Sequence, residues 1–263
     1  MARQVTMRLW RGDRSGGEFR DYRTTAEEGE VVLDVLHRVQ ATQAGDLAVR
    51  WNCKAGRCGS CSAEVDGRPR LTCMARMDQF SDGEPITIAP MRTFPIIKDL
   101  VTDVSFNFEV AKTVPAFKTR PKDPEREKDG YRMAQEDIER GQEFRKCIEC
   151  FLCQNVCHVI RDHEENKQAF SGPRFFIRYA ELEMHPLDTN DRTELLRKQA
   201  GLALCNITKC CTEVCPEDIH ITDNAIIPLK ERVVDRRYDP VMRLGSKLFR
   251  RGSKGDTQAE PNA

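Results

Sequence analysis

The stretch Cys53-Lys-Ala-Gly-Arg-Cys58-Gly-Ser-Cys61, followed by Cys73 after eleven intervening residues, decides how the first part of the chain is read. Its C-x4-C-x2-C…C spacing is that of plant-type [2Fe–2S] ligation. The chemistry demands this form, because a tight loop has to bring three thiolates round a compact cluster and turn backbone N–H groups toward its sulfurs. Gly56 and Gly59 permit the close backbone approach and unusual dihedrals of such a loop. A structural zinc site is the competing reading, but zinc favours paired C-x2–4-C knuckles over a glycine-bearing C-x4-C-x2-C loop. Cys53, Cys58, Cys61 and Cys73 are therefore expected to hold [2Fe–2S].

Around this loop the pattern is that of a small α+β module. Val5, Met7 and Leu9 alternate along a strand, and Glu18–Arg23 reads as a second. Val31–Gln40 places Val32, Val35, Leu36 and Val39 on one helical stripe. Ser62–Val65, Arg70–Cys73 and Pro85–Ile88 are further strand candidates.

Twelve cysteines in 263 residues fall into three groups, and 73 cysteine-free residues follow the first. Met1 to Trp10 has no apolar core and no small-residue cleavage site, so secretion is not expected and six disulfides are not the natural reading. Cys147-x2-Cys150-x2-Cys153-x3-Cys157 is the bacterial ferredoxin run, whose fourth cysteine ligates the other cluster when two are present. Cys205-x2-Thr208-x2-Cys211-x3-Cys215-Pro216 repeats it with Thr at the second ligand position. Crossed ligation assigns Cys147, Cys150, Cys153 and Cys215 to a [4Fe–4S] cluster. Cys157, Cys205 and Cys211 remain, three thiolates with the hydroxyl of Thr208 at the fourth corner. A hydroxyl is a poor ligand for this soft iron, so [3Fe–4S] is expected there. Cys210 is out of phase with the repeat and is read as a small buried hydrophobe pointing elsewhere; were it a ligand, the third cluster would be [4Fe–4S].

At roughly 150 residues per domain the chain has room for between one and two domains. Lys112–Gly130, with three prolines and dense charge, reads as an exposed connector. Beyond it the pattern turns helical. Pro173 opens a helix with Phe175, Phe176, Tyr179 and Leu182 on one face; Asn190 or Asp191 caps another ending at Gly201; Thr222 or Asp223 caps a third carrying Ile226, Ile227, Leu229 and Val233. Residues 251–263 read as a disordered tail. Lys+Arg and Asp+Glu are 42 each, which argues against an electrostatic nucleic-acid binder. Apolar runs fall far short of the ~18 residues of a membrane span.

Taken together, CKAGRCGSC, CIECFLCQNVC and CNITKCCTEVCP, in that order and with Thr in place of one cysteine, resemble the iron–sulfur subunit of the succinate dehydrogenase and fumarate reductase family, up to about Leu248. The resemblance implies a β-grasp ferredoxin domain over 1–105 and an all-α helical ferredoxin domain over 106–250. It also implies partners: a flavoprotein subunit with covalent FAD, a membrane-anchor subunit that in some members holds haem, and a quinone as acceptor. The chain would lie on the cytoplasmic face of the inner (plasma) membrane, bound through the anchor, and relay electrons without itself binding succinate. Fumarate reductase is the same architecture run in reverse; an iron–sulfur adaptor of another flavoprotein complex and a zinc-bound module are the remaining alternatives.

The chain departs from well-known members at the quinone end. His158, Asp162 and Asn206 stand where those members carry Pro, Trp and His. His158, Asn206 and Thr208 are the quinone-proximal candidates. His163, in the acidic stretch Asp162–Lys167, reads as part of a solvated turn, and His37 as a surface residue; His185 and His220 have no evident partner. Arg243, Lys247, Arg250 and Arg251 form a basic patch suited to lipid headgroups or an anchor. No triad, phosphate loop or paired-carboxylate motif stands out.

Overall fold

The structure, a computed structural model, describes residues 2–240. The basic patch from Arg243 to Arg251 and the tail at 251–263 lie outside the described residues.

The N-terminal region is a sheet with one helix on it. Its elements are β1 (Arg3–Asp13), β2 (Gly16–Ala26), α1 (Val32–Thr42), β3 (Ser62–Val65), β4 (Arg68–Leu71), β5 (Ile86–Ala89), β6 (Ile96–Lys98) and β7 (Val101–Thr102). Strand β1 is central. It pairs antiparallel with β2, placing Met7 opposite Tyr22, and parallel with β5, placing Leu9 opposite Ile88. Strand β3 joins β5 to β4, and β6 continues from the end of β1 to β7. The alternation foreseen in β1 is realised, with Met7 and Leu9 fully buried. They meet Val32, Val35, Leu36 and Val39 of α1. Each such side chain contributes about 1.5–3 kcal/mol on burial, which fixes the helix to the sheet.

One strand lies two residues earlier than its sequence pattern predicts. Arg70–Cys73 was the expectation, but β4 is Arg68–Leu71. The reason is the turn: Asp66 and Gly67 both have positive φ, a two-residue hairpin that sets Val65 opposite Arg68. The ladder then ends at Leu71, and the Thr72 N–H donates to the Cys61 carbonyl at 3.1 Å. Cys73 is thereby released from the strand and turned to the cysteine loop.

The C-terminal region is helical. It comprises α2 (Ser105–Thr113), α3 (Gln135–Arg145), α4 (Leu152–Val156), α5 (His158–Arg161), α6 (Pro173–Glu183), α7 (Thr193–Lys198), α8 (Cys210–Glu213) and α9 (Ile227–Tyr238). Pro173 sits in the first turn of α6 as foreseen, and Phe175, Phe176, Tyr179 and Leu182 are all buried. Their core includes Ile219, Ile221, Ile226 and Leu229.

Three expectations are corrected here. The helix following Asp191 is short. Asp191 Oδ1 does accept from the Thr193 N–H at 3.1 Å, yet α7 ends at Lys198, and Gly201 turns left-handed into a 3-10 turn. Neither Thr222 nor Asp223 caps the last helix. Ile221–Ile226 instead winds as a π-helix directly into α9, and its start is held by Glu143 of α3, which accepts from the His220 N–H at 2.6 Å and from Asn224 Nδ2. Finally, Lys112–Gly130 is not simply an exposed connector. Its first residues belong to α2, the carbonyls of Pro115 and Ala116 accept from Arg192, and Glu127 is buried against Arg120.

Candidate metal centres

The first cysteine group is shaped by three left-handed residues, Lys54, Gly56 and Gly59. The loop turns its amides inward. Ala55 and Arg57 N–H each donate to Cys53 Sγ at 3.3 Å, Gly56 N–H to Cys73 Sγ at 3.3 Å, and Cys53 N–H to Cys58 Sγ at 3.5 Å. These are the donors a sulfur-rich, anionic group requires. Burial pushes the Cys73 thiol up to about 12, with Cys61 adding to it. Cys58 goes the other way. Burial opposes its ionisation, but the Ser60 hydroxyl and the amides of Cys53 and Ser60 outweigh it and bring the thiol down to about 6. Iron would bind Cys58 almost without cost in deprotonation, and would have to supply the charge that ionises Cys73.

The second and third groups repeat in conformation as well as in spacing. Glu149 and Phe151, both left-handed, flank Cys150 just before α4; Ile207 and Lys209, both left-handed, flank Thr208 just before α8. Thr208 thus occupies the backbone station of a ligand cysteine.

The thiols divide into two facing sets. Cys150 is pushed up to about 12 by burial, then by its neighbours Cys147 and Cys215. Cys153 is driven far up by burial, then by Cys150, Cys147, Cys211 and Cys215. Cys157 reaches about 12 through burial, then Cys210, Cys211 and Cys205. Cys211 reaches about 11 by burial, against a hydrogen bond from Thr222, with Cys210 and Cys205 as its thiol neighbours. Cys150 and Cys215 thus lie near Cys147, Cys157 and Cys211 lie near Cys205 and Cys210, and Cys153 lies near members of both groups. Among the described residues no three His, Cys, Asp or Glu side chains lie close enough to share a single metal ion. Buried thiols grouped in this way, with amides aimed at sulfur, suit multi-iron groups.

Cys210 departs from expectation. It is half-buried and faces the third site, with Sγ 3.4 Å from Thr208 Oγ1. The left-handed Lys209 between them brings the two side chains to the same side of the chain. His37 is not a surface residue either. It is half-buried and meets Trp51 edge-on at 4.9 Å, and burial followed by the nearby Lys54 lowers its pKa. Of the quinone-end candidates, Asn206 and Thr208 are exposed, while His158 is half-buried with Nε2 enclosed and unpartnered. His163 is exposed and pairs with Glu165, His220 pairs with Glu143, and His185 packs edge-on against Phe117.

The first and second groups touch. A Cβ on Gly59 would lie 2.6 Å from Cys150 Cα, so only glycine fits. Ser62 Oγ lies 2.9 Å from the Cys150 carbonyl and 2.8 Å from that of Gly59 and serves both. Nearby, Asn155 Nδ2 donates to Glu64 Oε1 at 2.9 Å, and the Thr93 N–H to Asn155 Oδ1 at 3.1 Å. Ser62, Glu64 and Asn155 carry no signal in sequence, because their roles depend on partners 62 to 91 residues away.

Residues 6–109 match the family of 2Fe-2S iron-sulfur cluster binding domains, and residues 143–219 the family of 4Fe-4S dicluster domains. The chain is 29% identical to the fumarate reductase iron-sulfur subunit of Mycobacterium tuberculosis, over 78% of this chain and 82% of that protein. It is 33% identical to the succinate dehydrogenase iron-sulfur subunit of Bacillus subtilis, over 66% of this chain and 68% of that protein. Among solved structures it is similar to a chain of the Mycobacterium smegmatis Sdh1 complex in the apo form, at 63% identity and a TM-score of 0.87, covering 92% of this chain and 100% of that one.

Proposed function

This chain belongs to the family of iron–sulfur subunits of succinate dehydrogenases and fumarate reductases, and on that premise we propose how its residues serve the family's electron relay. Cys53, Cys58, Cys61 and Cys73 hold [2Fe–2S]; Cys147, Cys150, Cys153 and Cys215 hold [4Fe–4S]; Cys157, Cys205 and Cys211 hold [3Fe–4S], with Thr208 at the open corner. The two regions are then a β-grasp ferredoxin domain and a helical ferredoxin domain, dividing near residue 105. When bound, such clusters take up and release single electrons at potentials set by their type, charge and hydrogen bonds.

The contact of Gly59 with Cys150 carries this reading. It brings the first ligand loop against the second, while Cys153 and Cys211 bring the second site against the third. This adjacency supports a relay in the order first, second, third. Lys54, Ala55 and Arg57 leave the first loop exposed, and Trp51 and Met74 add exposed apolar surface beside it. This edge suits a flavoprotein subunit whose FAD supplies the electrons. At the other end Leu204 and Ile207 are exposed on either side of Cys205, which suits a membrane-anchor subunit and a quinone near His158, Asn206 and Thr208. Among the described residues no helix is long and apolar enough to cross a membrane. In the proposed complex the anchor subunit supplies the attachment, at the cytoplasmic face. In this reading the chain's residues hold and orient the clusters, and the flavoprotein subunit acts on succinate.

Electron paramagnetic resonance on the complex, isolated anaerobically through this chain, tests the reading. An oxidised [3Fe–4S] signal that disappears with succinate, together with a reduced [2Fe–2S] signal, is expected. Clusters that answer dithionite but not succinate would refute succinate as donor and point to another electron donor. A missing oxidised [3Fe–4S] signal would refute the three-thiolate assignment and make Cys210 a ligand.

A further inference from the structure

Arg174 is an unusual residue to find in the first turn of a buried helix. Its side chain is 11% exposed, Nη2 is paired with Glu149, and Nε is enclosed with no acceptor. A buried donor without an acceptor is costly and marks a missing partner. Burial works against its charge, yet Cys147 foremost, then Glu149 and Cys153, outweigh burial and raise its pKa. Glu149 stands between Cys147 and Cys150 in the chain, so this ion pair sets the guanidinium against the second ligand loop.

We propose that Arg174 sets the potential of the second cluster, holding it more positive than its four thiolates alone would, with Nε free to donate to the anionic group between Cys147 and Cys153. The physical reason is charge. Reduction adds one electron to an already negative, thiolate-ligated group and moves no proton. A fixed cation in a poorly solvated site favours the reduced state. The anions that oppose it are restrained: Glu149 is 53% exposed and screened, and Glu181, which also reaches Cys147, is neutralised by Arg178 at 2.6 Å and Arg145 at 3.6 Å. Arg174 is a positioning residue in this role and touches no substrate.

The inference rests on the assignment of Cys147, Cys150, Cys153 and Cys215 to a [4Fe–4S] cluster. Redox titration of the isolated complex, followed by paramagnetic resonance, separates the two. In Arg174→Gln the reduced-to-oxidised ratio of the second cluster at a fixed potential is expected to fall about tenfold, which is about 59 mV for a one-electron couple. The first and third clusters should keep their midpoints. Arg174→Lys should retain most of the effect. An intact [4Fe–4S] signal with an unchanged midpoint in Arg174→Gln overturns the role of Arg174 alone. No reduced [4Fe–4S] signal in the unmodified complex overturns the ligand assignment. If Arg174→Gln does not assemble, Arg174→Met decides: a lowered midpoint upholds the proposal and an unmoved one overturns it.

Discussion

Thr208 shows how much one side chain decides. Its backbone stands as that of Cys150 does, between two left-handed residues at the mouth of a short helix, yet it presents a hydroxyl where the other repeat presents a thiol. Thr208→Cys is therefore expected to complete a four-thiolate set. The oxidised [3Fe–4S] resonance should vanish and the iron content rise, readable by paramagnetic resonance and iron analysis on the same preparation. His37 decides something different. Burial first, and Lys54 second, hold its pKa below the usual value, so the folded protein keeps it neutral where the unfolded chain, with a pKa of about 6.5, takes up a proton. The unfolded state binds more protons through that range, so stability falls as pH drops below about 6.5 and is regained above it. Melting of the complex between about pH 5 and pH 7 should show a shallower slope in His37→Gln than in the unmodified chain; equal slopes would contradict the assignment. The ring's burial against Trp51 was not readable from the residue's place beside Arg38, because the stripe of α1 alone does not reveal what the cysteine loop lays over it.

At the scale of elements, periodicity was sufficient wherever an element buries one face against a continuous core. Helix α1 and helix α6 follow their apolar stripes, and β3 falls on Ser62–Val65 as expected. It was insufficient where another part of the chain sets the limits. The Asp66-Gly67 hairpin, not the apolar pattern, ends β4 at Leu71. Glu143, from a helix not foreseen, starts the last helical segment. The connector is pinned by Arg192, a guanidinium 1% exposed that donates to Pro115 and Ala116 carbonyls and pairs with Asp188 and Glu183. Arg192→Met leaves two buried carboxylates without a cation, which should cost about 3–5 kcal/mol. It should also free the segment around residues 115–120 for limited proteolysis, while Lys198→Met, at an exposed position at the end of α7, should change neither.

At the scale of the whole molecule, the junction between sheet and helices is the decisive construction. Its polar part is buried: Glu64 is 3% exposed and Asn155 0%. Removing Glu64 leaves Asn155 Nδ2 without its acceptor, and removing Asn155 leaves the Glu64 carboxylate to Arg92 alone, each at about 1–3 kcal/mol. Glu64→Ala and Asn155→Ala should each lower the melting temperature, by roughly 2–4 °C per kcal/mol, and the double variant should cost less than their sum. Strict additivity would mean that the two do not work together. Exposed pairs across the same junction, Arg68 with Glu213 and Arg57 with Glu217, should contribute only about 0–1 kcal/mol each.

The sequence by itself determined the chemistry. Thiolate spacing and glycine at Gly56 and Gly59 specify local loops whose geometry a few consecutive residues dictate, so a 2Fe-2S binding domain followed by a 4Fe-4S dicluster domain was legible from spacing. Only the tertiary structure decided that Cys210 faces the third site, that Arg174 is buried beside the second, and that Gly59 abuts Cys150. Those facts depend on desolvation and close packing between segments far apart in the chain, and no local propensity encodes which distant side chain will come to share a buried space.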